Sequence, residues 1–282
     1  MKISRFALNA ILIAIAATLA QSHEATAQDA PINLGLYGDL SGGFITQNVT
    51  QDSKQKTSFG GEGRLSLNLA DFYHLDASAG GVGGKAVGNL RLGFSDPLSS
   101  NDTDYTSTSP VLVWNANLNG VDADFLRIKY ANPEIGLGIH RLSTPDSLSD
   151  SYYPDLLHYA VDLNVSPIGG YQDRDTNENS AASSATLSAS ARKQIADIQN
   201  ITLSLQGKLS GEAGGLWSTR GNYESATGEV DLMVHHYDGF GGYLGFQGVA
   251  EQVDLDRPSW SSTPQHNASS LAGMVVLGVT AY

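Results

Sequence analysis

The sequence predicts an all-β chain that closes into one antiparallel transmembrane β-barrel of about twelve strands, with ten to fourteen as the range the segments allow. Three observations predict it. Apolar and polar side chains alternate with a period of two along many segments, giving each one oily and one wet face. Charged residues make up only 16% of the 282 residues and hydrophobic ones 41%, whereas a soluble domain usually carries about 25% charged residues. Beyond the N-terminus no stretch approaches the run of about 18 apolar residues that a membrane-crossing helix needs.

The first 27 residues stand apart. Lys2 and Arg5 precede the apolar run ALNAILIAIAATLA, and Ala25-Thr26-Ala27 follows as a small-residue cleavage pattern. This order is that of a secretory signal peptide, too short in its apolar part to span a bilayer as an anchor. Residues 1–27 are expected to be removed and residues 28–282 to form the barrel. The formal net charge of −13 becomes −14 once Lys2, Arg5 and Glu24 are gone. So acidic a chain is unsuited to nucleic acid, which calls for clustered Lys and Arg. With no cysteine in the sequence, disulfides and Cys-based metal or redox sites are excluded.

Strands are expected near 32–48, 58–69, 73–82, 86–95, 111–119, 123–131, 135–142, 184–194, 201–210, 226–237, 242–254 and 270–282. Leu65, Leu67 and Leu69 oppose Arg64, Ser66 and Asn68; Leu90, Leu92 and Phe94 oppose Asn89, Arg91 and Gly93. The row from Ile201 to Leu209 opposes the row from Thr202 to Ser210. Tight turns are expected at 69–72, 132–134, 197–200 and 238–241, and long polar loops at 95–110 and 255–269. Short turns at one end and long loops at the other are a feature of membrane barrels, although this strand set leaves 95–110 on the short-turn side. Merging 73–95 and 111–131 into long strands gives ten strands. Reading 156–172 as a hairpin gives fourteen.

In its leader, its alternating strands and its final aromatic, Tyr282, the chain resembles the bacterial outer-membrane β-barrel superfamily, including porins. The resemblance implies a Gram-negative outer-membrane location, contact with lipid and lipopolysaccharide, and insertion by an assembly machinery that reads the C-terminal strand. In that strand Val275, Leu277, Val279 and Ala281 form a greasier row than Met274, Val276, Gly278 and Thr280.

Six basic residues fall inside strands on the polar face: Arg64, Arg91, Arg127, Lys129, Arg192 and Lys208. Facing lipid would cost each roughly 2–4 kcal/mol at the midplane, so they are expected to line the lumen. Two readings stay open. An unpaired basic lining favours anions in a passive channel for small solutes. Pairing with Glu62, Asp76, Glu229 and Asp231 makes a plugged structural barrel instead, one that meets a surface partner through its acidic loops. His235 and His236 point to opposite faces and His140 to the lumen. No metal, cofactor or catalytic residue is assigned. A lipid-modifying enzyme is the least supported class, and passive passage needs no cofactor. The mixed segment 143–183 is expected to be a long loop, folded into the lumen or exposed at the surface, or else a further hairpin.

Overall fold

A computed structural model describes residues 36–51, 54–69, 73–97, 109–117, 127–130, 132–141, 158–173, 179–217, 221–236, 240–255 and 266–281. The proposed leader and Tyr282 lie outside these residues. The described strands are β1 (Leu36–Gln51), β2 (Lys54–Leu69), β3 (Tyr73–Val82), β4 (Lys85–Pro97), β5 (Ser109–Asn117), β6 (Arg127–Tyr130) and β7 (Asn132–Arg141). They continue with β8 (His158–Asp173), β9 (Asn179–Ile198), β10 (Ile201–Leu216), β11 (Asn222–His236), β12 (Phe240–Leu255) and β13 (His266–Ala281).

All described pairings are antiparallel, β13 pairs with β1, and β8 pairs with both β7 and β9, so the sheet closes on itself. β6 and β7 both lie along β8 and share one place in the wall, which makes the barrel twelve-stranded. Closure leaves no backbone edge open, the condition for strands to cross a lipid bilayer.

The expected number of strands holds, but two elements were exchanged to reach it. Residues 132–134 are not a turn: Asn132 pairs with Asn117 and β7 follows β6 directly. Opposite them the β6–β8 pairing stops at Tyr130–Gly170 and the β7–β8 pairing resumes at Ile135–Val165, a gap that spans Pro167. Pro133 and Pro167 each lack an N–H, so the β6/β7–β8 ladder is interrupted where they meet without either chain reversing. The second correction is that residues 158–173 form a full strand, so the long loop expected over 143–183 does not exist as one element. Asp96 and Asp173, expected in loops, lie within β4 and β8.

Connections at the end holding Leu36 and Ala281 comprise residues 70–72, 98–108, 142–157, 199–200 and 237–239. Those at the other end include the two-residue links 52–53 and 83–84 and the longer intervals 118–126 and 256–265. Long and short connections therefore occur at both ends, contrary to the expected division. Gly83 and Gly84 both have positive φ, 59° and 82°, which suits the primed turn of a two-residue hairpin and is open to glycine at no steric cost.

The outer face is the apolar one. Phe44 is 84% exposed, Leu137 62%, Leu209 67% and Leu277 64%. The greasier row of β13 faces outward, with Val275, Leu277 and Val279 exposed and Met274 and Val276 buried. Such a band belongs against hydrocarbon, because in water it would form an exposed apolar patch far larger than soluble monomers show.

Candidate functional site in the barrel lumen

The inward rows are mostly polar, and their charges are joined. Arg64 Nη1 lies 3.2 Å from Glu229 Oε2, and Arg64 Nε lies 3.5 Å from Glu62 Oε1. Arg64 Nη2 donates to Gln247 Oε1 and lies 3.8 Å from Met274 Sδ. Lys208 Nζ meets Glu229 Oε1 at 3.1 Å and Asp231 Oδ2 at 3.6 Å. Gln247 Nε2 donates to the second Glu229 oxygen at 3.0 Å. Arg64 is on β2 and Glu229 on β11, with β1, β13 and β12 between them in the wall. The Arg64 side chain therefore reaches across part of the lumen, and among the described residues this layer is a constriction built from wall side chains. Beside it Tyr243 donates to Asp39 Oδ1 at 3.0 Å.

Beyond this layer the joined polar groups run on around the wall. Ser66 donates to Asp76 Oδ1 at 2.5 Å, and Asp76 is the cross-strand partner of Arg91. With the Asn115 amide nitrogen turned to His74 Nε2 at 3.0 Å, its oxygen accepts from Arg91 Nη2 at 2.9 Å. His140 Nε2 and Asp162 Oδ1 are 2.6 Å apart. Thr186 donates to Glu134 at 3.3 Å, and Tyr223 to Glu212 at 2.8 Å. His235, on the same inward row of β11 as Asp231 and Met233, meets Thr280 Oγ1 at 3.1 Å, while His236 faces out.

Glycines hold these side chains against the wall. A Cβ on Gly245 would lie 2.2 Å from Asp231 Oδ1, and one on Gly138 would lie 2.0 Å from Asp162 Oδ1. Equivalent clashes arise at Gly93 with His74, at Gly241 with His235, at Gly278 with Tyr243 and at Gly214 with Tyr223. In each case the glycine is the direct cross-strand partner of the bulky residue. A side chain that folds flat over a partner without a Cβ occupies less of the lumen than one standing perpendicular to the sheet.

Of the six expected lining residues, Arg64, Arg91, Arg192 and Lys208 are on inward rows, and Arg64 and Lys208 belong to the same constriction. Arg127 and Lys129 are in β6, but their side chains lie outside the described ones. Alternation sufficed to place the four. It did not reveal that they stand among more numerous inward carboxylates, including Asp39, Glu134, Asp162, Glu212 and Glu251, whose strand positions show the same parity. An apolar patch of Ile45, Val82, Ala272, Met274 and Val276 also faces inward, with Tyr243 and Val249 packed against it. It arises from the less greasy row of β13.

No family model matches the chain, and no curated protein matches it. Among solved structures it is similar to the NanC porin at 10% identity, over 85% of this chain and 99% of that one, with a TM-score of 0.38. It is similar to the outer membrane protease OmpT from Escherichia coli at 9% identity, over 90% and 99%, with a TM-score of 0.37. The KdgM porin is similar at 12% identity, over 85% and 98%, with a TM-score of 0.37. The strand pairing, independently of these likenesses, closes the sheet into a barrel. By its closed antiparallel wall and its apolar outer face, the described part of the chain is a twelve-stranded β-barrel with the build of one that crosses a membrane.

Proposed function

We propose that this barrel is a narrow channel through which small polar solutes diffuse across a bacterial outer membrane. One observation carries the reading. Lys208, halfway along β10, has a side chain 49% exposed while its partners Glu229 and Asp231 are 9% and 2% exposed. A cation that is paired to a buried cluster yet half exposed borders open space at the level of the constriction. Passage there needs no cofactor and no chemistry.

The charge balance favours cations weakly. Arg64 and Lys208 are each held by two carboxylates, which weighs against the anion preference that an unpaired basic lining implies. A low-dielectric wall focuses the field of whatever charge is left over. Under a salt gradient across a planar bilayer, the reversal potential is expected on the cation side. Glu229→Gln combined with Asp231→Asn is expected to move it toward anions. Anion preference that this pair of substitutions leaves unchanged would remove the constriction as the filter.

A second reading has its own observation. Several inward residues are almost wholly covered, Asn115 at 0% and Val276 at 1% exposed. That fits a barrel filled by its own side chains, acting as a structural or partner-binding element, and absence of any conductance would favour it. In either case the mature chain is expected to begin at Gln28 and to sediment with outer membranes in contact with lipopolysaccharide. N-terminal sequencing of the membrane-fractionated protein checks this, and full-length protein in the soluble periplasm contradicts it.

A further inference from the structure

The inward row of β9 is unlike the others. Ser184, Thr186, Ser188 and Ser190 follow one another on it, with no charge until Arg192. Serine is a weak strand former, and strand stability alone favours β-branched or aromatic residues. Four successive inward hydroxyls span about 20 Å along the strand at roughly 3.3 Å per residue. The neighbouring strands widen the row in register. Ser188 is opposite Ser210, which is opposite Thr227, and Thr186 is opposite Glu212, which is opposite Ser225. Thr186, Ser188, Ser190, Ser210, Ser225 and Thr227 are all partly exposed, whereas the apolar patch on β13 and β1 is buried. The row ends at the constriction, where Ser190 is the cross-strand partner of Lys208.

We infer that β9, with the adjoining rows of β10 and β11, forms a hydroxyl track that carries uncharged polyhydroxylated solutes of mono- to disaccharide size. The inference rests on the channel reading and adds its substrate class. A hydroxyl donates and accepts, and its hydrogen rotates to suit either role. A file of them can exchange hydrogen bonds with a sugar step by step, and the carboxylates beside it are already engaged, Asp162 with His140, Glu212 with Tyr223 and Glu134 with Thr186. Strands lie about 4.8 Å apart, so the patch over three strands is roughly 10 Å across, enough to face one pyranose ring.

The test is flux into proteoliposomes holding the full mature chain. Glucose and sucrose are compared with a polyethylene glycol of matched hydrodynamic size, which accepts hydrogen bonds along its backbone but has donors only at its ends. The sugars are expected to enter several-fold faster than the polyether. Ser188→Ala, Ser190→Ala and Ser210→Ala together should bring that ratio close to one, a loss of about 3–10-fold if the three weak hydrogen bonds act jointly. Ion conductance should change little, and Ser188→Thr alone should keep the ratio. Heat-modifiable mobility confirms that each variant has folded. Equal entry of sugar and polyether into the wild type, with ions conducted, overturns the track and leaves the channel standing. A ratio unaffected by the triple substitution also overturns it. Failure to conduct sugar, polyether or ions overturns the channel itself and the track with it.

Discussion

Val230→Arg is expected to block or sharply reduce recovery of the folded barrel in membranes, while Thr227→Arg on the same strand is tolerated. Val230 lies midway along β11, faces outward and is 52% exposed. Thr227 is three residues away and on the inward row. An arginine facing lipid at the bilayer midplane costs roughly 2–4 kcal/mol, whereas the same residue in an aqueous lumen keeps its hydration. Against a typical folding stability of about 5–15 kcal/mol, that difference is large. Denaturant midpoints in lipid vesicles, with heat-modifiable mobility as the folding readout, measure it. Equal effects at the two positions would mean that the outer face does not meet hydrocarbon, and a soluble β-barrel would then replace the membrane one.

The contrast between Val230 and Thr227 depends on a period of two, and that part of the fold was legible in the sequence. Leu65, Leu90 and Leu205 face outward as their alternation requires, and Arg64, Arg91 and Lys208 face inward. Alternation is a local property set by the pleat, so it survives whatever pairs with the strand. Proline was misleading for a physical reason. At 132–134 the sequence has the composition of a turn, but the barrel uses Pro133 to interrupt one ladder while the strand continues on its other side. A pair of prolines facing each other across β7 and β8 is visible only once those strands are known to be neighbours. The constriction was half legible. Its cations and the carboxylates Glu62, Glu229 and Asp231 were identifiable, but Arg64 and Glu229 are 165 residues apart. Their meeting depends on closure of β13 against β1, which no local pattern encodes. Whether the basic lining was free or paired therefore stayed open until the register was fixed.

The abundance of glycine, 31 residues in all, conceals two kinds of position, and substitution by alanine is expected to separate them. A Cβ on Gly60 would lie 2.0 Å from the Gly81 carbonyl oxygen and 2.7 Å from Val82 Cα. A Cβ on Gly80 would lie 2.2 Å from the Gly61 oxygen and 2.7 Å from Glu62 Cα. In both cases the obstacle is the backbone of the facing strand, which cannot move without opening the β2–β3 ladder at the end where the Gly83-Gly84 turn leads from β3 into β4. Glycine in this place lets the hairpin bend inward, the kind of local kink by which a sheet curves enough to close. Gly248 and Gly273 are opposite each other on β12 and β13, and an added methyl there meets nothing within 4 Å. Gly60→Ala and Gly80→Ala should each lower stability by about 1–3 kcal/mol, the usual cost of forcing atoms into a filled space. Gly273→Ala should be neutral or raise stability by up to about 0.5–1 kcal/mol, since glycine within a strand loses more backbone freedom on folding than alanine. Because Gly80 is the cross-strand partner of Glu62, two residues from Gly60, the double substitution at 60 and 80 should fall short of additivity: once the strands have parted for one methyl, the second meets less resistance. Urea midpoints of the refolded barrel in vesicles give the order, and Gly273→Ala proving as damaging as Gly60→Ala would show that the hairpin does not depend on close approach at that point.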